Sequence, residues 1–518
     1  MKESPGRSLE VFVNGIHHRV ADHRAFWTLT KYLREDQHLT GTKNVCNEGD
    51  CGSCSVLLGR PDEGGGDRMN YRTVDSCIVF LHQIDRTHIV TVEGLARDDG
   101  TPTAVQRAMI DGHGSQCGFC TPGFVVAMHG MHEEAAKKQV VAEQADVADG
   151  DEAIGVDGWR VGLSGNLCRC TGYVQILKAA RAIDPAGLDG MNRRYPPAEM
   201  LRCIRSLGDG PVAIEADSDA AVDRGHSRPR RLFIARTLDD AVRFRAEHPT
   251  ARIVSGATDV GVQHNHGRDI GDTLLGIRDV PELTSITVDD DNVRFGAAAT
   301  WTDVLNVVDE TFPAFDPILL RFGSPQIRNI GSIGGNLANG SPIADSVPFL
   351  FALDATIEAV SPRGRRRIPI DRFYTGYKQL SLDDDELIAA VTVRRPGPND
   401  HLWLSKVSRR ADMDISTFTA AIFVSADDAG VITAARVAMG GVGPVVLRIR
   451  EAEEAMIGQP LNLETLDNAG RLAAEQITPI DDVRGSADYR RRLARNVFHK
   501  FFHERAGGAD AGRETVST

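Results

Sequence analysis

Eight of the nine cysteines in this 518-residue chain fall before residue 171. The first four are Cys46, Cys51 and Cys54 in the run Val45-Cys46-Asn47-Glu48-Gly49-Asp50-Cys51-Gly52-Ser53-Cys54, then Cys77. This C-x4-C-x2-C…C pattern is the spacing by which thiolates hold a plant-type [2Fe–2S] cluster. Four sulfurs bind two irons, and three of them come from one loop. Gly49 and Gly52 let that loop take positive φ and turn backbone N–H groups toward the sulfurs. A structural zinc site more often shows two C-x2-C pairs, so the x4 gap favours iron.

The second set is Cys117 and Cys120 in Gln116-Cys117-Gly118-Phe119-Cys120-Thr121-Pro122-Gly123, with Cys168 and Cys170 in Gly165-Asn166-Leu167-Cys168-Arg169-Cys170-Thr171-Gly172. A C-x2-C and a C-x-C at the starts of two helices can converge on one tetrathiolate site. Zinc and an iron–sulfur cluster both accept four such sulfurs, so the spacing leaves both open. Cys203 stands alone and reads as a packing residue.

Two later segments have the composition of ligand loops. A short strand, Arg252 to Ser255, runs into Gly256-Ala257-Thr258-Asp259, a small-residue turn able to offer backbone N–H groups to a pyrophosphate. The run from Phe322 through Gly334, Gly335, Asn336 and Ser341 to Asp345 is too rich in Gly, Asn and Ser to fill a core, and suits close backbone approach to a ligand. No G-x-G-x-x-G and no G-x-x-x-x-G-K occurs, so neither the Rossmann nor the P-loop mode of nucleotide binding is supported.

The elements that must position these residues are legible in part. Asn14-Gly15 between alternating segments predicts a hairpin over Leu9 to Asn14 and His17 to Val20. Helices are expected at Thr28–Arg34, Val105–Gly112, Phe124–His132 and Leu238–Glu247. Another is expected at Val347–Leu353, with Asp345 as its cap. Phe418–Ser425 and Val431–Met439 read as a hairpin. Tyr489, Leu493, Val497 and Phe501 recur every four residues and predict a helix over Ala487–His503 with one apolar stripe. Glu133 to Asp157 is Ala-rich and acidic and reads as a solvated insertion. Residues Met191 to Arg231 read as an extended connector.

Composition sets the class. Hydrophobic residues make up 42% and charged residues 25%, as in ordinary globular protein, and the length suits about three to four domains. The formal charge of −13 argues against a general nucleic-acid or membrane-surface binder. Met1 to Glu10 carries no apolar signal core, and no apolar stretch approaches the ~20 residues of a membrane span. A soluble, cytoplasmic chain with reduced thiols is expected.

The run Gln116–Gly123 together with Ser164–Gly172, preceded by the plant-type loop, resembles the iron–sulfur region of the xanthine dehydrogenase/aldehyde oxidase (molybdenum hydroxylase) family. The stretch Phe322–Ser346 and the turn Ser255–Asp259 resemble that family's FAD-binding segments, and Lys406–Ile415 resembles another turn close to the flavin ring. The resemblance settles iron over zinc for the second set. It implies a multidomain α+β fold: a plant-type ferredoxin-like β-grasp domain over residues 1–88, a four-helix [2Fe–2S] domain over 89–190, a linker over 191–230, a two-part, non-Rossmann α+β FAD-binding domain over 231–398, a small C-terminal α+β domain over 399–506 and a tail over 507–518. It also implies roles. Gln116 contacts the pterin of a partner. Phe322 stacks near the isoalloxazine, Asn336 and Ser341 meet the phosphates or ribose, Asp345 the sugar hydroxyls, and Lys406 lies near the flavin ring. Two [2Fe–2S] clusters and FAD would then relay electrons from a molybdopterin-binding large subunit, in an α2β2 complex, to NAD. No residue of this chain would oxidise the substrate. Oxidation of hypoxanthine and xanthine to urate is the leading activity. An aldehyde- or N-heterocycle-oxidising relative, or a stand-alone electron-transfer protein, is the alternative.

Overall fold

The computed structural model describes residues 6–62, 64–144, 156–184, 187–217 and 229–506, which divide into two compact units. The first holds the chain to Thr284 with Thr300–Thr302 and Gly323–Ser332; the second holds Ser285–Ala299, Asp303–Phe322 and the chain from Ile333.

The first unit opens with β1 (Leu9–Val13) and β2 (Ile16–Val20), joined at Asn14 and Gly15, whose φ values are +48° and +82°. Two consecutive positive φ values are what a two-residue hairpin turn needs, and Asn-Gly meets that need cheaply. With β3 (Ser55–Pro61), β4 (Met69–Asp75) and β5 (Thr87–Val90) they form a sheet of order β2-β1-β5-β3-β4, in which only β1 and β5 run parallel. Side chains of a strand alternate between faces, and here both faces are buried. Leu9, Val11, Val13, Val56, Leu58 and Ile89 enter one core; Phe12, Leu57 and Val90 enter the other. The second core is filled by the helical part of the unit, through Val105, Met109, Phe124–Met128, Trp159, Leu163 and Ile176.

Three expectations change here. The helix expected at Phe124–His132 runs over Thr121–Gln144, so the acidic stretch does not leave the fold at Glu133. Glu133 instead accepts a hydrogen bond from the Met191 N–H at 2.7 Å, and the part of the stretch at 145–155 lies outside the described residues. Helix propensity of Ala, Glu, Gln and Lys sustains the helix where hydrophobic periodicity has ended. The region from Met191 is not extended. It forms short helices at Met191–Arg194 and Ala198–Arg205, then β6 (Val212–Ala216). Met200, Leu201 and Ile204 bury one helical face, and Pro197 stands just before the second helix, where no N–H is required. Third, the helical turns after Thr28 continue as a wider turn over Tyr32–Asp36.

β6 pairs with β7 (Arg230–Ile234), and β8 (Arg252–Val254) and β9 (Thr273–Gly276) complete a sheet of order β6-β7-β9-β8. The expected helix Leu238–Glu247 is present, capped by Thr237, whose side chain accepts from the Asp240 N–H. This sheet shares a core with the first, Leu232, Ile234, Val254 and Leu274 packing with Leu9, Phe26 and Leu33. A buried ion network ties the same two sheets. Asp279 takes Arg60 at 2.7 Å and Arg236 at 2.8 Å, and Arg236 also pairs with Asp85.

In the second unit, β10 (Ile286–Val288), β11 (Asn292–Gly296), β12 (Thr356–Ser361), β13 (Gly364–Pro369) and β16 (Leu387–Arg394) form an antiparallel sheet of order β10-β11-β16-β12-β13, with β14 (Tyr374–Gly376) and β15 (Gln379–Leu380) as a small hairpin. A four-stranded sheet follows, made by β17 (Asp400–Val407), β18 (Phe418–Ala426), β19 (Ile432–Gly440) and β20 (Leu447–Arg448). Helices Leu463–Gln476 and Ala487–Ala506 cover it. In the last helix Val497 and Phe501 are buried as expected, but Tyr489 is 44% exposed, and Ala494 and Phe498 take its place in the core. A four-residue repeat drifts around a helix of 3.6 residues per turn, so a stripe read at that spacing leaves the core within a few turns. Among the described residues, no helix is long and apolar enough to cross a membrane.

Burial raises the Asp279 carboxyl, but the guanidiniums of Arg60, Arg236 and Arg278 together outweigh it and hold its pKa at about 2. A depressed pKa adds stability above the unfolded value near 4, and that stability is lost as pH falls through about 2. Asp279→Asn should therefore cost about 3–5 kcal/mol at pH 7, with the gap to the parent chain narrowing below about pH 4. Urea midpoints of the two chains at pH 7, 5 and 3 check this.

Candidate functional site

The first cysteine loop folds as its glycines require. Asn47, Gly49 and Gly52 have φ of +60°, +76° and +64°, and the N–H of Glu48 points at the Cys46 sulfur at 3.4 Å. Cys51, Cys54 and Cys77 are buried and Cys46 half-buried. Their sulfurs neighbour one another, Cys46 with Cys51 and Cys77, and Cys77 with Cys54. The neighbouring thiols drive Cys46 far below the ordinary thiol range and push Cys51 and Cys77 above it. Four neighbouring thiols of this kind are the donor set that a tetrathiolate [2Fe–2S] cluster uses. Asn265 fastens the set by donating to the carbonyls of Asn47 and Cys77, each at 2.8 Å. Asp75 is a neighbour that motif reading passes over. It is fully buried, its Oδ1 lies 3.6 Å from the Cys54 sulfur, its Oδ2 has no partner, and burial raises its pKa.

The second set also converges. The sulfurs of Cys117 and Cys170 are 3.3 Å apart, and Cys120 hydrogen-bonds to Cys168. Burial, followed by the Cys168 contact, pushes the Cys120 thiol up to about 12. Thr171 Oγ1 sits 3.1 Å from the Cys168 sulfur, and the Cys168 N–H donates to the Tyr173 hydroxyl at 3.1 Å. Positive φ at Gly118, Gly172 and Tyr173 turns the two loops toward each other. Unlike the first set, this one reaches the surface. Cys117 and Cys170 are exposed, Gln116 is exposed beside them, and Phe119, Leu167, Tyr173 and Val174 form a rim of exposed apolar side chains. Among the described residues no three His, Cys, Asp or Glu side chains are placed to hold a single metal ion, whereas a binuclear cluster asks only two sulfurs of each iron.

The two sets meet through backbone. The N–H of Leu167, the residue before Cys168, donates to the carbonyl of Cys51 at 3.0 Å. Asn166 donates to the Gly52 carbonyl at 3.1 Å. A Cβ on Gly52 would sit 2.4 Å from the Gly165 oxygen, and one on Gly123 would sit 2.2 Å from the Gly52 oxygen. Only glycine allows this approach.

The residues expected to hold FAD are described within their own units. In the first unit, Ser255 is buried with a hydroxyl that has no partner, Gly256 lies so close to the Ile330 carbonyl that a Cβ would be 2.2 Å away, and Ala257 adopts φ +55°. Thr258 and Asp259 complete the turn, and Asp259 accepts from Gln263. A left-handed residue beside a free buried hydroxyl is a concavity of donors suited to a phosphate. In the second unit, Gly334 packs on Ala297, Gly335 is exposed, Asn336 accepts from the Ser346 hydroxyl, the Ser341 hydroxyl accepts from the Ile343 N–H at 3.4 Å, and Phe322 is half-buried. Asp345 does not cap the following helix, Val347–Ala352, whose cap position is Ser346. It is buried instead between Lys406 Nζ and the Ser416 hydroxyl. Lys406 is likewise buried rather than solvated, because β17 carries it inward to its counter-ion. Ser416 carries no sequence signal; its role appears only from the fold.

Two outcomes follow from this geometry. Cys170→Ala should lower iron by half while the first set keeps its own, read by iron analysis and visible absorbance. Lys406→Met leaves Asp345 buried without its cation and should cost about 3–5 kcal/mol, read as a fall in denaturation midpoint that Lys406→Met/Asp345→Asn partly restores.

Comparison with known proteins joins these sites. Three family models match the chain: a [2Fe-2S] binding domain over residues 91–181, the FAD binding domain in molybdopterin dehydrogenase over 228–396, and the CO dehydrogenase flavoprotein C-terminal domain over 403–505. Xanthine dehydrogenase 1 of Arabidopsis thaliana is 28% identical over 549 residues, covering 95% of this chain and 39% of that protein. The xanthine dehydrogenase/oxidase of Gallus gallus is 26% identical over 563 residues, covering 96% and 40%. The chain thus spans about two fifths of the length of these curated relatives. Among solved structures, the carbon monoxide dehydrogenase from Hydrogenophaga pseudoflava that lacks the Mo-pyranopterin moiety of its molybdenum cofactor matches with a TM-score of 0.50 and 25% identity, covering 52% of this chain and 94% of that one. The quinoline 2-oxidoreductase of Pseudomonas putida 86 matches with a TM-score of 0.49 and 25% identity, covering 53% and 96%. The family models thus assign the chain a [2Fe-2S] binding domain, an FAD binding domain of the kind in molybdopterin dehydrogenase and a CO dehydrogenase flavoprotein C-terminal domain, and along 95% of its length it is similar to xanthine dehydrogenase.

Proposed function

We propose that the chain is the iron–sulfur/FAD subunit of a xanthine dehydrogenase. It takes electrons from a separate molybdopterin-binding subunit that oxidises hypoxanthine and xanthine to urate, and it passes them to NAD. Cys46, Cys51, Cys54 and Cys77 hold one [2Fe–2S] cluster, and Cys117, Cys120, Cys168 and Cys170 hold the other. Ser255–Asp259 serve the pyrophosphate of FAD, while Phe322, Gly334, Gly335, Asn336, Ser341, Asp345 and Lys406 serve the rest of it. When bound, the clusters carry single electrons and FAD pairs them into a hydride. The complex is an α2β2 assembly in the cytoplasm.

The observation that carries this reading is the surface of the second cysteine set. Two sulfur ligands lie exposed, with Gln116 beside them and four apolar side chains around them. Exposed apolar patches of this kind mark interaction sites, and a cluster there is placed to accept electrons from a covering partner. The first set is more deeply buried, with only Cys46 partly exposed, so the Leu167–Cys51 contact would be the way inward for electrons arriving at the surface set. The similarity to xanthine dehydrogenases along 95% of the chain supports the choice of substrate.

Purification of the tagged chain from its native host tests the proposal. About four irons and one FAD per chain are expected, with a co-purifying molybdenum-containing polypeptide and activity on hypoxanthine that reduces NAD. Absence of any molybdenum partner contradicts the subunit reading. A complex active on aldehydes or on other N-heterocycles but not on hypoxanthine contradicts the substrate.

A further inference from the structure

The contact between the cysteine loops is fastened by a residue belonging to neither. Gln326 lies in the short helix Pro325–Arg328 of the first unit and is 1% exposed. Its Nε2 donates to Asn166 Oδ1 at 2.9 Å and to the Ser55 hydroxyl at 3.3 Å. Asn166 lies two residues before Cys168, and Ser55 directly follows Cys54. The carboxamide therefore bonds one neighbour of each cysteine set at once.

The network fixes every orientation within it. The Gly52 carbonyl can only accept, so Asn166 must present its Nδ2 there, at 3.1 Å, and its Oδ1 to Gln326. The Ser55 hydroxyl donates to the same Gly52 carbonyl at 2.7 Å, so it too must accept from Gln326. Gln326 must then turn its Nε2 inward, and its Oε1 is left buried without a partner. A buried polar atom without a partner is costly, and this one is tolerated where both N–H bonds of the amide are used. The Oε1 in turn lies where a Cβ on Gly165 would be 2.1 Å away, so Gly165 leaves the room it occupies. Between Asn166 and Cys168 stands Leu167, whose N–H bonds the Cys51 carbonyl.

We propose that Gln326 is a positioning residue for electron transfer between the two clusters. By holding Asn166 and Ser55 together it fixes the Leu167 N–H against the Cys51 carbonyl, a hydrogen bond that joins a ligand residue of one set to the neighbour of a ligand in the other. The step it serves moves one electron. The surface cluster is oxidised by one, the interior cluster is reduced by one, and no proton or bond changes hands. Electron tunnelling weakens exponentially across a gap, so loosening this contact slows the step without altering either set of ligands. The inference rests on the two-cluster reading above.

The experiment uses the full chain loaded with iron and FAD, as parent, Gln326→Leu and Gln326→Glu. Glutamate keeps the shape of the side chain but carries no N–H to donate when ionised. Iron and FAD content, the EPR spectrum of the fully reduced protein, and the rate of electron equilibration after flash reduction are measured for each. Both variants should keep the parent's iron and FAD, show a smaller magnetic splitting between the two reduced clusters, and equilibrate at least tenfold more slowly. Parent-like rate and splitting in both variants overturn the proposal. Loss of iron in both also overturns it, since Gln326 would then serve assembly. A parent chain with only one cluster overturns the two-cluster reading instead, independently of Gln326.

Discussion

The arrangement of the first unit depends on one close approach of backbone to backbone. The loop carrying Cys51 and Cys54 lies against the loop carrying Cys168 and the start of the helix after Cys120, with glycines at 52, 123 and 165 where a Cβ would collide with a carbonyl or amide oxygen. The steric statement is strict, because three separate positions must lack a side chain. The hydrogen bonds are what the approach gains: the Cys51 carbonyl takes the Leu167 N–H and the Gly52 carbonyl takes Asn166. Both cysteine sets are thereby held by close-packed neighbours, the first mostly buried and the second open at the surface.

The rest of the first unit keeps that approach in place. The five-stranded sheet is buried on both faces, so the strands that flank the first loop, β3 and β4, are clamped between two cores. The helix following Cys120 lies directly on this sheet, and at Gly130 a Cβ would be 2.0 Å from Thr73 Oγ1. The shared core with the second sheet, and the Asp279–Arg60–Arg236–Asp85 network, hold the turn at Ser255–Asp259 in the same rigid body as the first cysteine set. In the second unit the comparable device is Asp345 with Lys406 and Ser416, where a buried charge pair joins the Gly- and Ser-rich segment to the strand β17.

What the sequence disclosed divides by the range of the interaction. Cysteine spacing, the Asn14-Gly15 turn and the helix Leu238–Glu247 are local, and they were readable because spacing and turn chemistry fix them. The helix after Cys120 outruns its sequence signal because hydrophobic periodicity stops at His132 while helix propensity does not. The helix within the expected connector gives little periodic signal, because Met200, Leu201 and Ile204 span barely more than one turn. Asp345 and Lys406, sixty-one residues apart, carry no mark of their pairing: the sequence suggests a cap and sugar contact for the one and a place near the flavin ring for the other. Gln326 lay inside a run recognisable as ligand-binding, yet its partners Asn166 and Ser55 are 160 and 271 residues away. Only the fold brings them together.

The central claim is that the chain holds two electrically connected binuclear clusters. It is tested most directly by a redox titration of the purified chain followed by EPR. The account predicts two distinct cluster signals, together integrating to two spins per chain at full reduction, with mutual splitting at low temperature from their shared backbone contact. A single signal integrating to one spin, or two signals with no magnetic interaction, would contradict it.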